Sequence, residues 1–306
     1  MQQLSYLFIN VLLPIFLQVG AGFWLQKRFS PDISSFSKVQ FYAFIPAIAF
    51  TSLYSTQLGG AMLLAIVLCN LCIFAVLYGV AWVAVRAGRL DMSKRNAFYN
   101  SVCIYNSGNY CIPLIQLLYN TPFSYSVQIV IVLIQSAMTN TFGIYNTGAK
   151  GQKIGQLLKV VLLMPTTLAM LAAVGLRVTG LPVWKPVMVS LQVMTQGLVP
   201  LALITLGAQL AMAKISKFSF DVYCSSLLRL LIGPLVAWGL VTLWGIHGVA
   251  AQVIIICSAA PSAVNTVLLA LEFKGDPEFA SQTVLVSTLL SALTVPLVIS
   301  FALLFA

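Results

Sequence analysis

Charged side chains are scarce in this chain of 306 residues, of which only 7% are Asp, Glu, Lys or Arg and 60% are hydrophobic. A soluble domain of ordinary composition carries about 25% charged residues, so the chain is not of that class. It has a single histidine, and its sequence contains no serine–histidine pairing, no zinc-type cluster and no nucleotide-binding loop. An enzyme is therefore not expected, and neither a cofactor nor a metal is predicted.

Long apolar stretches fill almost the whole sequence. Each has about 20 residues, enough to cross a bilayer as a helix, and short polar connections separate them. The ten predicted spans are 4–26, 36–54, 61–85, 96–119, 124–146, 154–178, 186–213, 220–244, 249–272 and 277–305. No small-residue cleavage site follows the first span, so we expect a retained helix rather than a signal peptide. The predicted fold is an all-α, multi-pass membrane protein surrounded by the lipid bilayer.

The net charge of +10 reflects how basic residues are distributed among the connections. Those in or beside alternate connections are Lys27, Arg28, Arg86, Arg89, Lys94, Arg95, Lys150, Lys153, Lys214, Lys217 and Lys274. The positive-inside rule makes these connections cytoplasmic, which places both termini outside the cytoplasmic membrane. No basic run with interleaved aromatic residues is present, so nucleic acid is not an expected partner.

The two halves of the chain share a weak internal similarity. Three matches occur in the same order: Pro46–Thr51 with Pro200–Thr205, Pro122 with Pro277, and Ser136–Thr139 with Ser291–Thr294. Five spans per half is an odd number, so the second half must cross the membrane in the opposite sense. The sequence therefore predicts two inverted repeats, 1–153 and 154–306, with the substrate site where they meet.

The inverted repeat suggests a division into two moving parts. Spans one, two, six and seven, about 4–54 and 154–213, would form a scaffold. Spans three to five and eight to ten, about 61–146 and 220–305, would form a mobile transport core around two crossing helices.

Spans four and nine are each interrupted by a proline among small and amide residues. The interruptions read Asn106-Ser-Gly-Asn-Tyr-Cys-Ile-Pro113 and Ser258-Ala-Ala-Pro-Ser-Ala-Val-Asn265. Each proline is expected to end one helical segment. The next segment then begins inside the membrane with free N–H groups and a positive dipole end. Paired interruptions of this kind point to the binding site of a secondary transporter, and converging helix starts favour an anion.

The candidate substrate-binding residues combine amides, hydroxyls and a glycine that allows close approach. At the interruptions they are Asn106, Ser107, Gly108, Asn109, Pro113, Ser258, Pro261, Ser262 and Asn265, and on span five they are Gln135 and Asn140. The alternative is that the prolines are ordinary kinks and the amides join neighbouring helices. For the span-five residues, including Thr139, both interpretations stay open.

None of the six acidic residues falls well inside a span. Carriers coupled to protons or sodium often hold a carboxylate at membrane depth, so a carboxylate-coupled mechanism is disfavoured. Backbone carbonyls could still coordinate sodium. Arg229 is the one cation well inside a span, near the predicted cytoplasmic end of span eight. It could attract substrate from the cytoplasm, although snorkelling to the interface is more common for such a residue.

Several of these segments resemble the auxin efflux carrier family, one of the inverted-repeat carrier groups of the bile acid, arsenite and auxin type. The resemblance is most specific in Ser258–Asn265, Leu268–Pro277 and Ser287–Pro296. Leu13–Arg28, Phe41–Pro46 and Asn106–Asn109 with Ile112-Pro113 are also similar, so it covers nearly the whole chain.

The resemblance implies ten helices in an inverted repeat, crossing broken helices four and nine, a homodimer and an elevator motion. The long cytoplasmic loop of the plant exporters is absent, as in compact bacterial members, which implies a bacterial origin. By motif, the auxin-contacting roles of the plant proteins would pass to Asn106 or Asn109, Pro113 and Pro261.

The predicted function is a secondary transporter that moves a small organic anion, such as a carboxylate or an auxin-like weak acid, most simply by export. A sodium- or proton-coupled organic-acid symporter on the same fold is the alternative. An intramembrane receptor would lack alternating access to the two sides of the membrane.

Overall fold

The computed structural model describes residues 7–56, 58–146, 159, 161–213, 219–273 and 275–304. Within these ranges the chain is almost entirely helical, which confirms the all-α class. In chain order the helices are α1 Phe8–Phe29, α2 Ile33–Ser55, α3 Gly60–Gly88, α4 Met92–Cys103, α5 Ser107–Cys111 with Ile112–Leu118, α6 Pro122–Asn146, α7 Pro165–Val178, α8 Lys185–Ala211, α9 Phe220–Leu243, α10 Gly248–Ser258, α11 Asn265–Glu272 and α12 Pro277–Ala302.

Seven of the described helices are long and apolar enough to cross a membrane: α1, α2, α3, α6, α8, α9 and α12. Predicted spans four and nine are each divided into two shorter helices, α4 with α5 and α10 with α11. The start of predicted span six lies outside the described residues, as do Lys150, Lys153, Lys214, Lys217 and Lys274 of the predicted cytoplasmic connections. The ten-helix inverted repeat stays a prediction.

The interruption of span four lies earlier than its proline suggested. Helix α4 ends at Cys103, residues 104–106 are not helical, and α5 starts at Ser107. Pro113 therefore lies inside a continuous half-helix, and the expectation that it ends the preceding segment is wrong. In span nine the interruption does include the proline, because α10 ends at Ser258 and α11 starts at Asn265.

Proline instead widens several helices without breaking them. Four π-helical turns are each followed two residues later by Pro14, Pro46, Pro113 or Pro234. Proline has no N–H to donate and its ring crowds the carbonyl four residues back. A single wider turn accommodates this clash and keeps the helix going. One of these turns, Leu228–Ile232 of α9, contains Arg229.

Helices α1 and α8 cross with almost no space between their backbones. A Cβ atom at Gly22 would lie 2.7 Å from the Cα of Ile204, and one at Gly207 would lie 2.8 Å from the backbone N of Phe23. Small residues at a crossing allow such close approach within a membrane. The two helices, one from each half of the chain, therefore pack as a unit that tolerates no side chain at either glycine.

Candidate functional site

The two interrupted helices meet where they are interrupted. Tyr105 and Ser262 form an antiparallel bridge between the non-helical segments. The N–H of Asn106 donates to the carbonyl of Pro261 over 2.9 Å, and that of Ala263 donates to the carbonyl of Ile104 over 3.0 Å. Peptide groups that leave a helix inside a membrane need such partners, because hydrocarbon offers none. The segments thus supply each other's hydrogen bonds, and we refer to residues 104–106 with 259–264 as the crossover.

Side chains complete the hydrogen bonding of the crossover. Ser262 Oγ donates to the carbonyl of Ser101 over 2.6 Å, and the Ser262 N–H donates to Ser287 Oγ. From α6, Gln128 Nε2 donates to the carbonyl of Ser107 over 2.7 Å, and Gln135 Oε1 accepts from the N–H of Tyr105 over 3.4 Å. Buried polar groups are costly when unpaired, so these bonds hold the crossover in one arrangement.

The N-terminal ends of α5 and α11 face one cavity beside the crossover. Its lining residues are Phe41, Tyr105, Asn106, Ser107, Gly108, Asn109, Val132, Gln135, Ser136, Thr139, Ala263, Val264 and Asn265. Two helix starts therefore direct the positive ends of their dipoles toward the same space. The electrostatics of this cavity favour an anion.

The cavity is small by itself but continues into a larger one. It encloses about 40 Å³, whereas sites for organic ligands enclose about 300–1,000 Å³. A neighbouring cavity of about 370 Å³ shares Phe41, Val132, Ser136, Thr139 and Asn265 with it and also reaches Asn140. Together the two cavities fall within the size range of sites for small organic ligands.

Asn106 has one buried polar group without a partner at this cavity. Its Oδ1 accepts from the N–H of Asn109 over 3.1 Å and so caps the start of α5. Its Nδ2 is buried and has no hydrogen-bond partner among the described residues. An unpaired buried amide costs about 1–3 kcal/mol, which a ligand oxygen at that position would offset.

Asn109 and Asn140 are placed differently from Asn106. Asn109 Nδ2 lies 3.5 Å from Gln209 Oε1 on α8, across the boundary between the predicted core and scaffold. Asn140 Nδ2 donates to the carbonyl of Ser136 in its own helix over 2.8 Å. Both line the joined cavities, but their amides already have partners.

The structure therefore brings six of the predicted site residues to the crossover cavity: Asn106, Ser107, Gly108, Asn109, Gln135 and Asn265. Pro113, Ser258, Pro261 and Ser262 do not line it. Pro261 and Ser262 bond to the facing segment, and Ser258 Oγ bonds to the carbonyl of Ile255 in its own helix. Pro261, Ser262 and Ser258 therefore contribute to the structure of the crossover and not to the lining of the cavity.

Six lining residues were not predicted as site residues: Phe41, Tyr105, Val132, Ser136, Ala263 and Val264. Tyr105 directly precedes the amide motif, so its position next to the interruption was an available signal. Phe41 and Val132 come from other helices. Each is one apolar residue among many in an apolar span, so the sequence does not indicate that it lines a cavity.

A cleft of about 910 Å³ leads toward the cavity from one end of the molecule. On one side it is lined by Gln26, Asp32, Ser34, Gln209 and Met212, and on the other by Val264, Leu268, Asp276, Glu278 and Ser281. It shares Val264 with the crossover cavity. Lys27 and Arg28, which the sequence predicts to be cytoplasmic, lie at this end of α1.

Arg229 differs from both sequence-based interpretations. Its side chain is fully buried, with 0% exposure, so it does not snorkel to an interface. It does not line the crossover cavity either. The guanidinium donates to the carbonyls of Val102 and Ser258, and its Cζ lies 4.8 Å from the centre of the Tyr105 ring.

The comparisons with known proteins agree with this architecture. A family model described as membrane transport protein matches residues 152–299. The chain is also similar to an uncharacterized transporter of Methanothermobacter thermautotrophicus, at 27% identity over 271 residues that cover 87% of this chain and 88% of that protein. These matches agree with the family resemblance: the chain is similar to membrane transport proteins along most of its length.

Proposed function

We propose that this protein is a secondary transporter that exports a small organic anion, such as a carboxylate or an auxin-like weak acid, across the cytoplasmic membrane. One observation carries the proposal. The starts of α5 and α11 face one cavity, and Nδ2 of Asn106 is buried beside it without a partner among the described residues. Helix starts and amide N–H groups are donors suited to carboxylate oxygens.

The cavity would bind the anion without a fixed positive charge in its lining. Its polar residues are Tyr105, Asn106, Ser107, Asn109, Gln135, Ser136, Thr139 and Asn265, all neutral. Hydrogen bonds to neutral donors are weaker than those to ionised ones. A carrier must also release its cargo, and a neutral site serves both steps.

The proposed mechanism is an elevator motion within two inverted five-helix repeats. The core would comprise α3–α6 and α9–α12, and the scaffold α1, α2, α7 and α8, in a homodimer within the lipid bilayer. Three features support this division: the glycine crossing of α1 with α8, the mutual bonding of the crossover, and the cleft between α1, α8 and α11, α12. The cleft would give the anion access from the cytoplasm.

Export needs no second ion under this proposal. Moving a monovalent anion out of a cell with a negative interior gains about 2.3 kcal/mol per 100 mV. At 100 mV this corresponds to roughly a fiftyfold gradient of the anion, using 1.4 kcal/mol per factor of ten.

The proposal is tested first by ligand identification and then by transport. Purified protein is screened by thermal unfolding against organic acids, amino acids and indole derivatives, because a ligand stabilises the folded state by mass action. Proteoliposomes on a solid-supported membrane should then give a current with each stabilising acid. The variant Asn106→Ser should reduce that current, and protein-free liposomes give the background. Stabilisation by none of the acids, or an undiminished current in the variant, would overturn the proposed site.

A further inference from the structure

Arg229 binds the carboxyl ends of the two interrupted helices, whereas the cavity lies at the starts of the helices that follow them, α5 and α11. Helix α4 ends at Cys103 and α10 ends at Ser258, so both helices present the negative ends of their dipoles at the crossover. One guanidinium nitrogen of Arg229 donates to the carbonyl of Val102 over 3.1 Å, and the other donates to the carbonyl of Ser258. A single side chain therefore bonds the carboxyl ends of both interrupted helices.

Four neighbouring carbonyls at the ends of α4 and α10 accept hydrogen bonds from neutral groups. In α4, the carbonyl of Ser101 accepts from Ser262 Oγ and that of Asn100 from the N–H of Ile104. In α10, the carbonyls of Ile256 and Cys257 accept from the N–H groups of Ala259 and Ala260. The carbonyls of Val102 and Ser258 accept from the charged guanidinium of Arg229 instead.

The charge of Arg229 has no acidic partner within the described part of the chain. All six acidic residues are exposed or half-buried, and the only ion pair among described residues joins Lys94 to Asp221. A buried charge is costly unless it is paired. Here the two carbonyl ends and the face of the Tyr105 ring are its partners.

Helix α9 leaves room for the Arg229 guanidinium because residue 233 is a glycine. Gly233 follows Arg229 by four residues, and a Cβ there would lie 3.2 Å from Arg229 Cζ and closer still to the carbonyl oxygen of Ser258. A side chain at position 233 would therefore compete with the guanidinium for the same space. The absence of one at Gly233 and the bulge Leu228–Ile232 together allow Arg229 to reach the carbonyls.

We infer that Arg229 is a built-in cation of the crossover, which takes the place of a coupling ion. In secondary transporters, carboxyl ends of half-helices and unwound carbonyls coordinate Na⁺ at such positions. In this protein a covalently attached charge binds the same kind of group and cannot leave during the cycle. The inference rests on the proposed transport function for its consequence, which is that anion transport requires no Na⁺.

The test compares cation effects on folding, which need no knowledge of the anion. Thermal unfolding of purified wild type, Arg229→Gln and Arg229→Lys is followed by tryptophan fluorescence in NaCl and in choline chloride of equal ionic strength. Wild type and Arg229→Lys should unfold at the same temperature in both salts. In choline chloride, Arg229→Gln should unfold at a lower temperature than the wild type. Na⁺ should raise that temperature by about 3 °C at ten times its dissociation constant.

Two results would overturn the inference: stabilisation of the wild type by Na⁺ over choline, or an Arg229→Gln protein that folds and responds equally to both salts. If Arg229→Gln cannot be purified in either salt, Gly233→Ala provides the second variant, with Gly239→Ala as its control because a Cβ at Gly239 meets no atom within 4 Å. In choline chloride, Gly233→Ala should unfold at a lower temperature than Gly239→Ala, and NaCl should remove part of this difference. Equal behaviour of the two variants would overturn the inference.

These outcomes are separable from failure of the proposed function. If no organic acid is transported, the salt comparison still reports whether Arg229 acts as the resident cation. If an acid is transported by the wild type only in Na⁺, the proposed anion site stands, whereas export without a second ion and the inference about Arg229 both fail.

Discussion

The N–H of Asn106 donates to the carbonyl of Pro261 over 2.9 Å, although 155 residues separate them in the chain. This bond joins the last residue of the first interruption, 104–106, to the proline of the second interruption. It has two consequences. Asn106 is held at the start of α5, where its Oδ1 can cap the helix, and Pro261 is held away from the cavity as a structural partner.

Replacing Asn106 with serine should separate capping from ligand binding. Serine is a good N-cap residue, so α5 should be retained. The Nδ2 donor is lost, and a hydrogen bond to a charged group contributes about 1.5–3 kcal/mol. We expect the apparent affinity for the anion to fall at least tenfold, measured by the concentration dependence of the current.

The matched control for that prediction is Asn140→Ser. The amide of Asn140 already bonds to the carbonyl of Ser136 in its own helix, so its loss should change the affinity less than threefold. Equal effects of the two substitutions would contradict the distinction that the structure makes between these asparagines.

Gly22→Ala should destabilise the protein. The new Cβ would lie within 2.7 Å of the Ile204 backbone, and backbone cannot move aside as a side-chain end can. Overpacking of this kind costs about 1–3 kcal/mol or more. We expect a lower unfolding temperature for purified Gly22→Ala, with Gly20→Ala in the same helix unchanged, because a Cβ at Gly20 meets no atom within 4 Å. Similar unfolding temperatures for both variants would refute the close crossing of α1 with α8.

Gln128→Leu should weaken the crossover from a position outside the cavity. The substitution leaves the buried carbonyl of Ser107 without the donor that now lies 2.7 Å away. An unsatisfied buried acceptor costs about 1–3 kcal/mol. The unfolding temperature should fall in Gln128→Leu and not in Gln192→Leu, where the replaced amide is exposed on α8. A fall of the same size in the control would show that loss of any glutamine has this effect.

The ion pair of Lys94 with Asp221 should contribute little. It joins the first turn of α4 to that of α9, and each side chain is 25% exposed. Exposed ion pairs contribute about 0.2–1 kcal/mol and weaken as salt rises. A double-mutant cycle with Lys94→Met and Asp221→Asn should give a coupling energy within that range. A coupling several times larger would mean that the pair is a principal link between α4 and α9.

Much of the site could be predicted because a membrane makes backbone interruptions conspicuous. Asn106–Asn109 and Asn265 stand out as polar residues within apolar spans, and all of them line the crossover cavity. The position of the first interruption was predicted wrongly, because proline was assumed to end a helix. At Pro113 a wider helical turn absorbs the clash instead, and residues 104–106 form the interruption.

The role of Arg229 could not be predicted from its neighbours in sequence. An arginine near the end of an apolar span is compatible with snorkelling, substrate attraction or burial. Its hydrogen-bond partners, Val102 and Ser258, lie 127 and 29 residues away. Only the packing of α9 against both interrupted helices identifies them.

The amino-acid sequence by itself determined that this protein is helical, lies in a membrane and interrupts two of its helices, since hydrocarbon tolerates few alternatives to an intact helix. Only the tertiary structure decided what those interruptions contact. It directs the two helix starts at a cavity and the two helix ends at Arg229, because hydrogen bonds and dipoles act over a few ångströms between segments that are distant in the chain.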